Sequence, residues 1–186
     1  MGNDASQVVV GANGQVYVGP LAADAPTAVD DTLDTDFIEL GFVSEDGATI
    51  TDSKTVENIG AWQSFYPIRR IVTEREFTVE FAMRQWNGDN ITFAFGGGVV
   101  LGGPNFSYTP PDPGEIDERS LILKWQDGTK NYLLYIPRGM ATASTVANLR
   151  RAQAADLPIT FSALSDGDDA AYTLFTDDPA FAGATS

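Results

Sequence analysis

The 186-residue sequence contains no cysteine and no histidine. Without cysteine, the chain has no disulfides, thiolate zinc ligands or cysteine nucleophiles. Without histidine, it lacks the usual general base and the commonest transition-metal ligand, which excludes Ser-His-Asp and Cys-His catalytic systems. Enzymatic activity would have to rest on carboxylates, lysine or tyrosine, and we expect a protein that is not an enzyme and uses no cofactor.

Basic residues are missing from both ends of the chain. Residues 1–53 hold ten acids and no base, residues 152–186 hold six acids and no base, and the eleven Lys and Arg lie between them against ten acids. The formal net charge is −15. Because phosphate binding requires clustered Lys and Arg, specific DNA binding is not expected. The alternative is that this charge only maintains solubility.

Long apolar runs are missing as well. No stretch approaches 18 apolar residues, and the start MGNDASQVVV lacks the basic region and apolar block of a signal peptide. We therefore expect no membrane partner. The length favours a single domain, residues 1–186, with one core.

Residues 74–103 change hydrophobic period in the middle of the run. From 74 to 83 polar and apolar residues alternate, which predicts a half-buried strand. Its apolar face consists of Phe77, Val79, Phe81 and Met83. From Asn87 the spacing becomes helical, with Ile91, Ala94 and Phe95 on one face and glycines 96–98 as a stop, so a helix of about two turns is expected.

Turn residues divide the rest of the chain into short β-prone runs. These are residues 7–10, 15–19 and 37–44, with a turn at 45–47, and residues 157–164 and 171–176, which predict a hairpin. Residues 119–137 predict another hairpin with Asp127-Gly128 as a two-residue turn, pairing Leu123 with Tyr132 and Trp125 with Lys130. The fold class is mainly β: an antiparallel β-sandwich or partly open barrel with one short flanking α-helix and a long hairpin arm.

Residues 48–73 are unusual for a strand pair in a core. Residues 48–57 are polar and β-branched, and residues 61–73 are aromatic and basic. Such a hairpin suits an arm that pairs with another molecule, since an unpaired edge is otherwise a liability. Arg69, Arg70 and Arg75 would then meet the acidic surface of another copy. An ordinary hairpin facing solvent is the alternative.

Three further segments are candidate ligand sites. Acids crowd the loop 20–36 and the turn 165–169, where carboxylates could hold calcium; the aspartates are Asp30, Asp31, Asp34, Asp36, Asp166, Asp168 and Asp169. The spacing in the loop 20–36 does not match a calcium-binding loop, and a solvated acidic loop is favoured. In the second segment a plain turn is favoured, because turns select Asp and Gly for backbone reasons alone. The glycine-rich segment 96–114 matches neither a Walker loop nor G-x-G-x-x-G.

The order of five short segments resembles that of the major tail tube proteins of long-tailed bacteriophages, particularly non-contractile ones. The segments are GANGQVYVG at 11–19, LGFVSEDG at 40–47, IGAWQSFYPIRR at 59–70, FTVEFAMRQWNGDNITFAFGG at 77–97 and ITFSAL at 159–164. The resemblance implies a β-sandwich subunit that forms hexameric rings, which stack into a hollow tube in the virion tail after assembly in the host cytoplasm.

The resemblance also implies roles for particular segments. Residues 48–73 become the candidate for lumen lining and pairing between subunits, and residues 20–36 the candidate for ring-to-ring contact. The candidate lumen and assembly residues are Asp52, Lys54, Glu57, Arg69, Arg70, Glu74, Arg75, Glu76 and Glu80. The implied partners are further copies of the chain and the tape measure, tail terminator and tail tip proteins, whereas DNA passes through an acidic lumen without specific binding.

Three rival functions remain open at this level. A ring-forming tube of a bacterial secretion or injection apparatus has the same fold group. A β-sandwich carbohydrate-binding module would use Trp62, Trp86 and Trp125 for sugar stacking, although core packing is favoured for Trp86 and Trp125. A glycosidase needs only two carboxylates, but Glu74, Glu76 and Glu80 alternate on one polar strand face, as solvent exposure also produces.

Overall fold

The computed structural model describes residues 5–142, 149–152, 154–165, 167 and 170–183. These residues form one α-helix, α1 (Gly88–Ala94), and two short 3₁₀ helices, Ala5–Gln7 and Pro179–Gly183. The strands are β1 (Ala12–Gly19), β2 (Ile38–Glu39), β3 (Val43–Ala61), β4 (Ser64–Met83), β5 (Val99–Leu101), β6 (Ser107–Thr109), β7 (Arg119–Asp127), β8 (Lys130–Ala141), β9 (Leu157–Ala163) and β10 (Thr173–Thr176). Within the described ranges, no helix has the length and apolar character needed to cross a membrane.

Eight of the strands belong to one antiparallel sheet. Its order is β2-β1-β7-β8-β9-β4-β3, and β10 pairs with β8 beside this path. Strands β5 and β6 form a separate antiparallel pair. The large sheet is not closed, and the expected mainly β, antiparallel architecture with one flanking helix is confirmed.

The main core draws on strands from both halves of this sheet. Val16 of β1, Val79 of β4, Leu121 of β7 and Phe161 of β9 belong to the same buried cluster. Because strands far apart in sheet order share one core, the sheet must fold over itself. The predicted apolar face of β4 is confirmed as buried; it consists of Phe77, Val79, Phe81 and Met83. A smaller cluster on the other side of β7 and β8 packs Ile122 and Leu133 beneath the loop residues Ala23 and Phe37.

Helix α1 confirms the predicted start and stop, but its buried face differs. The Asn87 side chain accepts a hydrogen bond from the Asn90 amide at 2.8 Å, and Gly96 to Gly98 all have positive φ. Phe93 and Ala94 are buried, whereas Phe95 is 45% exposed. Asn90 is also buried, because its Nδ2 donates to the carbonyls of Leu40 and Gln85, both at 2.9 Å. A polar residue thus holds the helix to the sheet, which apolar spacing does not reveal.

Three predictions near the amino terminus are wrong in detail. The expected strand 7–10 does not form, and residues 8–10 have no regular structure. The expected strand 37–44 is split into Ile38–Glu39 and the first two residues of β3, because Gly41 turns the chain between them with φ +76°. The expected turn 45–47 lies inside β3 as a bulge between Val43 and Ala48, with Gly47 at φ +72°.

The hairpin of β7 and β8 is confirmed, but its register differs by two residues. Leu123 pairs with Leu134 and Trp125 pairs with Tyr132. Only Gly128 adopts positive φ at this turn, while Asp127 stays in β7 opposite Lys130. Glycine at the first central position is typical of a type II′ turn, so Gly128 and Thr129 are the turn residues.

The predicted hairpin of residues 157–164 and 171–176 is wrong. In the described residues β9 and β10 pair with β8 rather than with each other. Strand β8 is twelve residues long, so it pairs with β10 through residues 132–135 and with β9 through residues 139–141. The predicted turn residues Asp166, Asp168 and Asp169 lie outside the described residues.

Candidate assembly surface

The most prominent surface feature is the far part of the β3–β4 hairpin. The two strands pair from Val43–Met83 at the core to Ala61–Ser64 at the end, whereas β9 pairs with β4 only along residues 78–83. Residues 53–76, which we call the arm, have no third strand within the described structure. The nine residues from 53 to 61 extend about 30 Å, nearly twice the radius of gyration of about 16 Å expected for a chain of this length.

The arm is exposed along its whole length. Every residue from 53 to 76 is exposed except Ala61, which is partly buried. Both outer backbone edges of the arm are unpaired within the described structure. A two-stranded hairpin of this kind is at best marginally stable in water, so the arm has the properties of an element that is completed by another chain.

Charges are sorted between the two faces of the β3–β4 hairpin, in the arm and at its base. Directly paired residues share a face, and faces alternate along each strand. The pairs Asp52–Phe77, Lys54–Arg75 and Asn58–Arg70 therefore continue the core side of β4. We call this the basic face; its charged residues are Asp52, Lys54, Arg70 and Arg75.

The opposite face of the arm and its base is mainly acidic. The pairs Thr55–Glu74, Glu57–Ile71 and Ile59–Arg69 lie on it, together with Glu76 and Glu80. We call this the acidic face; its charged residues are Glu57, Arg69, Glu74, Glu76 and Glu80. A bulge at Thr73 shifts the register between the proximal and distal halves of the arm. The nine residues predicted from the sequence thus lie on one hairpin, but on two different faces.

An ion pair lies where the arm leaves the core. Arg75 donates from Nε to Asp52 Oδ1 at 3.0 Å and from Nη2 to Oδ2 at 2.6 Å. These bonds, with the nearby Lys54 ammonium, hold the pKa of the Asp52 carboxyl below its usual value. Beside the pair, the rings of Phe77 and Tyr172 stack with centroids 3.8 Å apart. Asp52 is therefore engaged by its own chain.

The end of the arm is apolar, which the sequence reading did not identify as an assembly feature. Trp62 is 100% exposed and Tyr66 is 82% exposed, and Phe65 and Ile68 are also exposed. We call Trp62, Phe65, Tyr66 and Ile68 the arm tip. Ser64 orders this tip, since its hydroxyl donates to the Tyr66 carbonyl at 2.8 Å. In the sequence, the apolar run FYPI at residues 65–68, which follows the polar residues of β3, could have indicated this tip.

A second exposed apolar surface lies on the β5–β6 hairpin, in the segment that the sequence showed only as glycine-rich. Val99, Leu101 and Phe106 are exposed, and we call them the β5–β6 patch. The hairpin is anchored from its other side, because Val100 lies over Gly88 and the Tyr108 hydroxyl donates to the Gly97 carbonyl at 2.9 Å.

The acidic loop 20–36 uses two of its carboxylates to order its own backbone. Asp31 accepts hydrogen bonds from the Thr27 hydroxyl at 2.7 Å and from the amides of Thr27 and Ala28. Asp34 accepts from the amides of Asp24 and Asp36. These bonds lower the pKa of both carboxyls.

The carboxyl-terminal segment is anchored through Asp178 as far as the structure describes it. The buried Asp178 carboxylate accepts from the Tyr132 hydroxyl at 2.8 Å, from Lys130 Nζ at 3.0 Å and from the Ala180 amide at 2.9 Å. Burial, reinforced by Asp178, raises the pKa of Tyr132 to about 12. The ring of Phe181 also meets Tyr132 edge to face.

The three tryptophans proposed for sugar stacking are held in three different ways. Trp62 projects from the arm tip, and Trp86 Nε1 donates to the Ala155 carbonyl at 2.7 Å. Trp125 stacks on Tyr132 with ring centroids 5.2 Å apart, beside an open cavity of about 970 Å³. They lie on three separate segments, and of the three only Trp62 is fully exposed.

Comparison with protein families gives a match over the whole chain. A search of curated proteins gave no match. The family model described as "Phage tail tube protein" matches residues 1–186, the whole chain. This is a family of structural proteins of the virion tail. The chain therefore belongs to the phage tail tube protein family.

Proposed function

We propose that residues 1–186 act as a single domain that self-assembles into hexameric rings, and that these rings stack into the hollow tail tube through which phage DNA passes. The observation that carries this proposal is the arm, a two-stranded hairpin with exposed side chains and two unpaired edges. Exposed edges template pairing with other chains. Family membership supplies the assembly in which such pairing is useful.

Arms from neighbouring subunits pair side by side in the ring. Each arm then offers one edge to the preceding subunit and the other edge to the next. This is a heterologous contact, which closes into a ring when the rotation between subunits permits. Closure of the ring pairs both exposed edges of every arm, and it stabilises a hairpin that is only marginally stable in the isolated subunit.

The acidic face of the arm lines the lumen. Its glutamates, Glu57, Glu74, Glu76 and Glu80, are repeated in every subunit and repel DNA phosphates, so DNA slides without specific binding. The basic face, with Lys54 and Arg70, then points into the wall, where acids of neighbouring subunits surround it. Asp52 lies on that face in its ion pair with Arg75 and contributes no free lumen charge.

Other tail components complete the assembly. The lumen holds the tape measure protein before ejection, and the tail terminator and tail tip proteins close the two ends of the tube. The acidic loop 20–36 contacts the next ring. Assembly takes place in the host cytoplasm, before the finished tail joins the virion.

Negative-stain imaging of concentrated purified protein tests this function. We expect rings or tubes with an axial hole. The variant Arg69→Glu/Arg70→Glu should keep its circular dichroism spectrum and melting temperature but form no rings, because the change reverses two exposed charges of the arm. Arg150→Glu/Arg151→Glu, the same charge change outside the arm, is the control and should assemble. A strictly monomeric wild-type protein at every concentration would refute the proposal.

A further inference from the structure

Two exposed apolar surfaces lie on different parts of the subunit. The arm tip presents Trp62, Phe65, Tyr66 and Ile68, and the β5–β6 patch presents Val99, Leu101 and Phe106. Exposed apolar clusters of this kind usually mark interaction sites. Aromatic side chains are also the residues that most often anchor protein interfaces.

We propose that the arm tip of one subunit docks on the β5–β6 patch of another copy of the chain. This inference rests on the proposed self-assembly and specifies one of its contacts. The arm is about 30 Å long, and the tip and the patch of one chain are both exposed, so they do not cover each other. The contact is therefore between molecules, and because it joins two different surfaces it propagates from copy to copy.

The charges around the two surfaces are complementary. Arg69 and Arg70 flank the arm tip, and neither forms an ion pair or hydrogen bond through its side chain within the described structure. Beside the β5–β6 patch, Glu115 lines the same surface depression as Gly98, the residue before β5. Asp112 follows Pro111, which packs near Gly97.

The Asp112 and Glu115 carboxylates also have no partner among the described residues. The neighbouring acids differ, because Asp117 is paired with Arg119 and Glu118 with Arg138. An apolar tip flanked by two unpaired cations thus matches an apolar patch flanked by two unpaired carboxylates. Such complementarity fixes the orientation of docking and disfavours tip-to-tip contacts.

The 970 Å³ cavity between β1 and the base of β3 is a weaker receptor for the tip. Its lining is rich in amide side chains, including Gln15, Gln85 and Gln126, and it contains the cation Lys124. Phe42 is its one strongly exposed large apolar residue among the described lining. The tip would leave several of these amides without hydrogen-bond partners and bring its arginines near a lysine.

Disulfide cross-linking tests the docking directly, since the chain contains no cysteine. Tyr66→Cys/Phe106→Cys, oxidised after assembly, should give a ladder of covalent multimers. Each single-cysteine variant should give no ladder. The control Tyr66→Cys/Phe42→Cys places the second thiol at the cavity and should also give no ladder. The proposal is overturned if the control gives a ladder and Tyr66→Cys/Phe106→Cys does not. It is also overturned if Tyr66→Cys alone forms disulfide-linked dimers through two arm tips.

A charge exchange provides a second readout. Arg70→Glu and Glu115→Arg should each raise the protein concentration needed for assembly about tenfold, and the combined variant should recover most of the loss. Sedimentation gives the assembled fraction, and unchanged melting temperatures show that the subunits remain folded. If wild-type tubes form but neither the ladder nor the recovery occurs, this contact is wrong while the proposed function stands. If no tubes form, the proposed function itself fails.

Discussion

Arg75 and Asp52 form a two-point ion pair at the base of the arm, with donor–acceptor distances of 3.0 and 2.6 Å. The two residues lie on neighbouring strands and on the same face as Phe77, which stacks on Tyr172. Planar, two-point contacts fix direction as well as distance. The pair therefore ties β3 to β4 at the base of the arm, although both side chains are partly exposed.

Breaking this pair should loosen the arm and leave the core intact. For Asp52→Ala or Arg75→Ala, we expect faster hydrogen exchange of backbone amides in residues 53–76, because the arm has no other ion pair to its own chain within the described structure. Core amides of β7 and β8 should be unchanged. The exchanged pair Asp52→Arg/Arg75→Asp should restore part of the protection. If the arm of both single variants exchanges at the wild-type rate, the pair does not hold the arm together.

Acid should destabilise the anchored carboxyl-terminal segment. Asp177 accepts from the Asn131 amide and side chain, both at 2.7 Å, and hydrogen bonds hold the pKa of Asp177 and Asp178 below the ordinary value of 3.8. A carboxyl whose folded-state pKa is lowered adds stability above its unfolded pKa. That stability is lost as the pH falls through the folded pKa. The melting temperature should therefore fall steeply below about pH 4.

The variant Asp177→Asn/Asp178→Asn isolates this effect. It should melt at a lower temperature at pH 7 and show a shallower decline between pH 5 and pH 2. Asp112→Asn, whose side chain makes no hydrogen bond in the described structure, is the matched control and should behave as wild type. If the melting temperature of the double variant falls with pH as steeply as that of the wild type, these two carboxyls are not the source of the acid sensitivity.

The close packing of β8 on β9 should make Gly139 intolerant of a side chain. A Cβ there would overlap the Phe161 ring and lie 2.6 Å from the Ser162 carbonyl oxygen, and Phe161 is fully buried. We expect Gly139→Ala to lower the free energy of unfolding by about 1–3 kcal/mol. Gly60→Ala in the arm, with open space around its Cβ, should change it by less than about 0.5 kcal/mol. Denaturant titration measures both values, and equal effects would contradict the packing argument.

Helix α1 should be required for folding, unlike the arm charges. Ala94 is buried in the last turn, and Ala94→Pro places a ring that clashes with the preceding turn, at a cost of about 3 kcal/mol or more. We expect loss of both folding and assembly. Asn87→Ala removes only the cap on the Asn90 amide and should cost about 1 kcal/mol. Circular dichroism melting compares these variants, and a folded Ala94→Pro protein that still assembles would contradict the prediction.

Reversing the acidic face should change how the tube treats DNA. The variant Glu57→Lys/Glu76→Lys should still assemble but retain double-stranded DNA at low salt, with release as salt rises. Filtration of tubes with labelled DNA measures this retention. Asp46→Lys/Asp89→Lys, the same charge change at two exposed residues outside the arm and the loop 20–36, is the control. Equal DNA retention by both variants would show that the acidic face does not line the lumen.

The sequence by itself determined the elements whose signals are local. Alternation over residues 74–83 fixed the buried face of β4, since a strand turns successive side chains to opposite sides. The Asn87 cap and glycines 96–98 fixed the limits of α1, because both satisfy backbone groups close in sequence. The polar and basic character of residues 48–73 also identified the hairpin that carries the candidate assembly residues.

Only the tertiary structure decided the features that depend on distant partners. The pairing of β9 and β10 with one long strand, β8, arises from shared sheet edges rather than from the turn between them. The burial of Asn90 follows from the carbonyls of Leu40 and Gln85, which no local pattern encodes. The division of the nine predicted residues between two arm faces depends on register and on the bulge at Thr73. Composition reveals the charges, but strand pairing determines which of them act together.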